Sequence, residues 1–290
     1  MIFNVGKRKL LGVLGASVFV MSVSILAWPL MGNAALLVGL GAATGVILIV
    51  QLAAQKTVEQ SLRQQIQEDS VDVKTTLLGT YQQLESYIAL MQVLKPGVPF
   101  PRTRGWAAAP DFLRIVMEAI FREKPRLVLE ASCGVSTLVI ASALRCLGNG
   151  RVVSLEQDGR FASLTRDMIA LHGLEAYATI IHAPLKEYDM SGAKKMWYDL
   201  GALNISQPID LLCIDGPTAP DKHARYPALP LLKERLRPGA LVILDDGCRA
   251  GEQEIVEQWD KEIGFESNEY LHLEKGAFVL RMQSACGGRP

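Results

Sequence analysis

Five acidic residues in this sequence each close a short apolar run: Glu130 after RLVL, Glu156 after RVVSL, Asp215 after IDLLCI, and Asp245 with Asp246 after ALVIL. Carboxylates placed in this way can do three kinds of chemistry. A lone one, as at Glu130, holds a cationic ligand by charge-assisted hydrogen bonds. One at the end of the next strand, as at Glu156, suits hydrogen bonds from both hydroxyls of a ribose. Three brought together, as Asp215, Asp245 and Asp246 would be on adjacent strand ends, repel one another unless a cation lies among them. An all-oxygen ligand set of that kind favours Mg²⁺ or a similar hard ion. Such an ion can hold a substrate hydroxyl and lower its pKa. The plainer alternatives are a solvated strand end at Glu156, a helix cap at Asp245 or Asp246, and an ordinary turn at Asp215-Gly216-Pro217.

The elements that would position these acids alternate strand and helix. Strands are expected over 126–130, 151–155, 178–182, 209–214 and 240–244, with helices over 137–147 and 158–172 stopped by Gly148 and Gly173. A further helix over about 251–263 precedes two strands joined at Lys275-Gly276. This order predicts an α/β fold, a doubly wound and mainly parallel seven-stranded sheet, with its ligand beyond the carboxyl ends of the strands. The stretch KPGVPFPRTRGWAAAPDF enters this domain, its prolines forbidding a continuous helix. Its Trp106 is either a cap over the core or a substrate contact.

Ahead of the domain the chain is strongly apolar. After Lys7-Arg8-Lys9 two uncharged runs, 10–30 and 34–53, are each long enough to span a bilayer, with Pro29, Gly32 and Asn33 between them. They predict a two-helix transmembrane hairpin with Trp28 near one interface; a cleaved signal peptide is the alternative. Basic residues before the first run, and Lys56 and Arg63 after the second, place both termini and the catalytic domain on the cytoplasmic side of an inner membrane. Gly39, Gly41 and Gly45 would let helices pack closely. From 55 to 94 apolar residues recur at Val58, Leu62, Ile66, Val73, Leu77, Tyr81, Leu84, Ile88 and Met91, the pattern of an amphipathic helix. That stripe would either pack on the neighbouring domain or pair two copies as a homodimer. The expected divisions are 1–54 anchor, 55–95 helical linker, 96–283 α/β domain and 284–290 flexible tail. A net charge of zero, from 30 basic and 30 acidic residues, offers no global field for nucleic acid. The five cysteines show no C-x-x-C spacing and read as free thiols.

The segments VLEASCGVSTL, RVVSLEQD, IDLLCIDGP and LRPGALVILDDG together resemble the class I S-adenosylmethionine (SAM)-dependent methyltransferases over about 96–283, nearest the macrocin-type sugar O-methyltransferases. The turn after Glu130 holds a single glycine, Gly134, with Ser132 where that family's first glycine stands and Ser136 opening the helix. It is not the G-x-G-x-x-G of a nicotinamide site. The resemblance implies a Rossmann-like methyltransferase fold. It implies SAM held by Glu130, Ser132, Gly134, Ser136, Glu156 and Asp215, and a divalent metal held by Asp215, Asp245 and Asp246. The group's usual acid or lysine after the fourth-strand Asp is replaced here by Pro217-Thr218. The nearest ionisable groups for a base are then Asp221, Lys222 and His223; the catalytic candidates are Asp215 and His223, the latter because an unperturbed imidazole suits proton abstraction near neutral pH, or else His223 is a surface residue. Arg225 and Tyr226 either contact an anionic or sugar substrate or pin the loop. The resulting expectation is O-methylation of a glycan, lipid-linked or other small-molecule hydroxyl at a membrane. A membrane-tethered SAM-binding scaffold without activity is the alternative.

Overall fold

The computed structural model describes residues 15, 18, 19, 21–27, 29, 30, 32–190 and 192–284. Lys7, Arg8, Lys9, Leu10, Trp28, Cys286 and the tail beyond 284 lie outside them. Two compact units divide after Leu77.

In the first unit the described residues of 18–30 are helical, Gly32 is a turn, and α1 (Asn33–Leu94) begins. A side chain at Gly39 would collide with Ser24, so the two helical stretches touch there, whereas Gly41 and Gly45 face open space. α1 runs for 62 residues without a break at 54, at Asp69-Ser70 or at Gly79. The second apolar run and the linker are therefore one helix. The chain holds no proline between Pro29 and Pro96, and Ala, Leu, Gln, Glu and Lys favour helix on either side of the composition change. Among the described residues this is the one helix long and apolar enough to cross a bilayer.

The second unit begins in the last turns of α1, where Leu90 and Leu94 are buried in the core. α2 (Pro110–Glu123) follows, with Pro at its first turn. Then come β1 (Leu127–Ala131), α3 (Val135–Leu147), β2 (Arg151–Glu156), α4 (Gly159–Leu171) and β3 (Ala178–His182). An antiparallel hairpin, β4 (Leu185–Met190) with β5 (Ala193–Tyr198), precedes β6 (Ile209–Ile214) and the short α5 (Ala228–Leu232). β7 (Leu236–Asp245), α6 (Ala250–Glu262), β8 (Phe265–Leu271) and β9 (Ala277–Met282) complete the unit.

Seven strands form one sheet in the order β3-β2-β1-β6-β7-β9-β8, with β9 antiparallel to both neighbours and the other pairs parallel. This is the doubly wound sheet expected. β1 is buried throughout, as a central strand covered on both faces must be. One core layer packs α2 and α3 against the sheet through Phe112, Leu113, Leu138 and Ile140, and the other packs Trp197, Leu229, Leu232 and Trp259 on the opposite face. The order in which the chain winds across the sheet reverses between the parallel strands β1 and β6, which opens a crevice at their carboxyl ends. The β4–β5 hairpin was not expected. Met190 pairs with Ala193 at its turn, which includes Gly192, and the hairpin delivers Trp197 and Tyr198 to the interior.

Candidate active site

The β1–α3 turn is built from behind by Glu130. That side chain is fully buried and accepts hydrogen bonds from Thr137 Oγ1 (2.7 Å) and Ser154 Oγ, while Gly134 N donates to Thr137 Oγ1 (3.1 Å). Burial raises the Glu130 pKa, against the pull of the hydroxyls around it. Neither Glu130 nor Ser136, which is 3% exposed in the first turn of α3, lines the cavity beyond the turn. Ser132 and Gly134 do, with φ of 130° and 134°. Gly134 adopts that conformation freely, but Ser132 carries a Cβ into a region costing roughly 1–3 kcal/mol. Ser132→Gly is therefore expected to stabilise the fold by about 1 kcal/mol, read as a raised thermal midpoint. A lowered midpoint would show that the serine side chain makes contacts outweighing its strain.

In front of the turn lies a cavity of about 760 Å³, within the roughly 300–1,000 Å³ of small-molecule sites. Glu156 stands at its mouth. One carboxylate oxygen accepts from Asp158 N (2.9 Å) and the other from the Cys133 thiol (3.2 Å), which leaves acceptor capacity for a pair of hydroxyls. Burial pushes the Cys133 thiol well up, so it stays a neutral donor. Phe161, Leu164 and Met168 of α4 supply an apolar wall, and Tyr198 closes the floor beside Asp215.

The carboxyl ends of β6 and β7 bring Asp215, Asp245 and Asp246 together, with one oxygen of each within 4.8 Å of the others. Arg225, 6% exposed, enters from the loop after β6 and organises them. Its Nη1 donates to Asp245 O (2.8 Å); its Nη2 donates to Asp246 Oδ2 (2.6 Å) and Asp215 O (3.0 Å) and lies 3.4 Å from Asp215 Oδ1. Arg249 adds a second cation 3.0 Å from Asp246. The Asp245 side chain differs: both its carboxylate oxygens are buried without a hydrogen-bond partner. Burial pushes Asp215 up to about 6, with Asp246 adding to the rise and Arg225 opposing it. Asp245 goes to about 8, through burial and then through Asp215 and Asp246.

A second cavity of about 280 Å³ opens over Asp215, Asp246 and Arg225, and runs along the loop from Pro217 to Lys222. It meets the first at three shared residues, Trp106, Asp215 and Thr218. The other loop candidates turn outward. The His223 ring bonds Glu254 Oε2 (2.7 Å) on α6 and lines neither cavity, and Tyr226 OH donates to Glu262. Of the two roles open to Arg225 and Tyr226, both take loop pinning, and Arg225 also faces the second cavity. Trp106 does not cap the core; it is 92% exposed. Tyr198 and Phe161 had gone unnoticed. Phe161 was legible from its place three residues after Asp158 at a helix start, whereas Tyr198 depends on the hairpin.

Residues 131–247 match the profile of a methyltransferase domain family. Among curated protein sequences no relative matches. The SAH-bound methyltransferase PaMTH1 of Podospora anserina superposes with a TM-score of 0.50 at 12% identity, over 69% of this chain and 88% of its own, a likeness of fold. The O-methyltransferase of Bacillus cereus in complex with SAH gives 0.48 at 17% identity over 69% and 91%. TomG of Streptomyces achromogenes, an O-methyltransferase in complex with SAM, gives 0.48 at 15% over 71% and 96%.

Proposed function

We propose that this chain is a SAM-dependent methyltransferase that O-methylates a hydroxyl of a glycan or lipid-linked acceptor at a membrane surface. The observation carrying the O-methyl reading is that the two cavities meet at a carboxylate, Asp215. Bound SAM supplies an electrophilic methyl group on a sulfonium. Glu156 accepts hydrogen bonds from the ribose hydroxyls, Ser132 and Gly134 give the turn its close backbone approach, and α4 covers the apolar rim. Asp215, with a pKa of about 6, is ionised at neutral pH and stands where an acceptor hydroxyl must give up its proton. Asp215, Asp245 and Asp246 fit a hard divalent cation, because the Asp245 carboxylate is buried and unpartnered, while of the three carboxylates the Arg225 guanidinium bonds that of Asp246 and touches the edge of that of Asp215. Such an ion would lower the pKa of the acceptor hydroxyl.

Titration calorimetry of SAM into the detergent-solubilised full chain tests this reading. Glu156→Ala is expected to weaken binding roughly 10- to 100-fold, the worth of charge-assisted hydrogen bonds. A folded wild type that binds no SAM would leave the scaffold reading in its place.

Membrane attachment is part of the same reading. Leu37, Val38, Leu40, Ile47, Leu48 and Ile49 are exposed on α1, as lipid-facing residues would be. Farther along α1, Leu62, Val73 and Leu84, and likewise Ile66, Leu77 and Ile88, recur every eleven residues and are all exposed. An eleven-residue repeat keeps a stripe on one side of a nearly straight helix. The occupant is a second copy, because two chains inserted in the same sense bring identical stripes side by side at the same height. Val73→Asp with Leu77→Asp is expected to abolish cross-linked dimers in membranes. An uncross-linkable wild type would remove the pairing.

A further inference from the structure

The segment between α1 and α2 ends in a side chain that the chemistry above leaves unused. Trp106 is 92% exposed, whereas Trp197 and Trp259 are fully buried. Its exposure is enforced by the backbone. Arg104 and Gly105 take successive positive φ values of 73° and 70°, which turn the chain outward. Lys275 Nζ then donates to the carbonyls on both sides of the indole, Gly105 O (2.9 Å) and Ala107 O (3.3 Å). Arg104 is held by Glu274 at 3.0 Å, and Ala108 and Ala109 are buried. A large apolar ring is thus presented on a pinned strap at the junction of the two cavities, beside Asp215 and Thr218.

An indole kept in water loses the hydrophobic gain of its burial, so a fixed exposed one at a reaction junction calls for a ligand that covers it. The second cavity says which ligand. Apart from the indole, its lining is charged with both signs, through Asp221, Asp246, Glu252, Lys222, Arg225 and Arg249. An aromatic acceptor would want apolar walls on both faces, and an acyl chain would want a continuous apolar channel. A sugar ring has one face of C–H groups and a rim of hydroxyls that both donate and accept, which matches a cavity lined by one aromatic ring together with carboxylates and cations.

We propose that Trp106 is the acceptor platform, on which a glycosyl ring stacks so that one of its hydroxyls reaches Asp215; the assignment rests on the O-methyltransferase reading and specifies its substrate class. Trp106 touches the acceptor and leaves the ribose end of the cofactor site to Glu156.

The test uses the full chain in detergent, S-adenosylhomocysteine, and methyl glycosides of common hexoses and deoxyhexoses as probes. Stacking on an exposed indole blue-shifts its emission. Wild type is expected to show a saturable blue shift with at least one glycoside, and Trp106→Phe to show none while still binding it. In methyl-transfer assays Trp106→Ala is expected to raise the glycoside KM roughly tenfold or more, while kcat changes less and SAM affinity stays within about threefold. Trp106→Phe is expected to recover most of the KM. An unchanged glycoside KM in Trp106→Ala overturns the platform, and so does a KM loss matched by an equal loss of SAM affinity, which makes Trp106 a cofactor lid. Wild type that binds SAM but responds only to catechols overturns the sugar assignment and leaves O-methyl transfer standing. Failure to bind SAM overturns both.

Discussion

Asp215→Asn is expected to lower kcat by roughly two to four orders of magnitude, the usual contribution of a positioned general base, while SAM affinity changes only a few-fold. The substitution is isosteric, and the contacts that shape the loop survive it. Arg225 keeps its bonds to the backbone carbonyls of Asp215 and Asp245 and to the Asp246 carboxylate. What disappears is the one carboxylate that faces both cavities. The wild-type pH profile should carry the same signature. In the absence of added divalent metal, with the pKa of Asp215 pushed up to about 6, chiefly by burial, kcat/KM falls about tenfold per unit below that value and levels off above it, and the Asn variant loses this acidic limb. Initial rates with labelled methyl donor measure both. A variant within threefold of wild type would mean that the proton leaves by another route.

Asp245→Asn is expected to stabilise the metal-free protein by roughly 1–3 kcal/mol at pH 8 and to abolish any stabilisation by Mg²⁺. The folded-state pKa of Asp245 is raised to about 8 from an ordinary 3.8. Between those values the folded chain keeps a proton that the unfolded chain has given up. The stability linked to this group is therefore present below about pH 4 and drains away as pH rises through about 8. An amide of the same shape removes that slope, though it still lacks hydrogen-bond partners, which is why the gain falls short of the full shift. Mg²⁺ acts on the wild type in the same direction, by giving the ionised carboxylate a partner. Thermal melts from pH 5 to 9, with and without Mg²⁺, separate these effects. A wild type indifferent to Mg²⁺ at pH 8 argues against a metal at this triad, and a destabilised Asn variant argues against the titration.

The central strands were legible because they are buried on both faces and so read as apolar runs ended by an acid, as 209–214 does at β6; the edge strand β3 coincides with 178–182 although it is half exposed and ends in His182. The β4–β5 hairpin was not, because Lys186, Glu187, Asp189, Lys194 and Lys195 leave no apolar stripe along it. The break expected near residue 54 has an instructive cause. Composition there reports a change in what surrounds the helix, and backbone dihedrals do not follow surroundings, so α1 passes through. In the site, strand position revealed which acids gather at the carboxyl edge but not which side of a turn each side chain takes. Glu130 supports the turn from inside while Glu156 faces the cavity. Irregular loops carry no periodicity from which to read direction, which is why His223 turns to Glu254 and Arg225, two residues on, turns inward.

Arg225 also bears on how acceptors are told apart. A single guanidinium ties the end of β6, the end of β7 and the loop between β6 and α5 into one piece. Opening that loop would strip a buried cation of several oxygen acceptors at once, so the far wall of the second cavity stands ready-made rather than assembling around its guest. Little ordering entropy then remains to be lost on binding. Such a cradle selects by shape at the moment of encounter, and it would tolerate poorly any acceptor whose ring substituents point the wrong way.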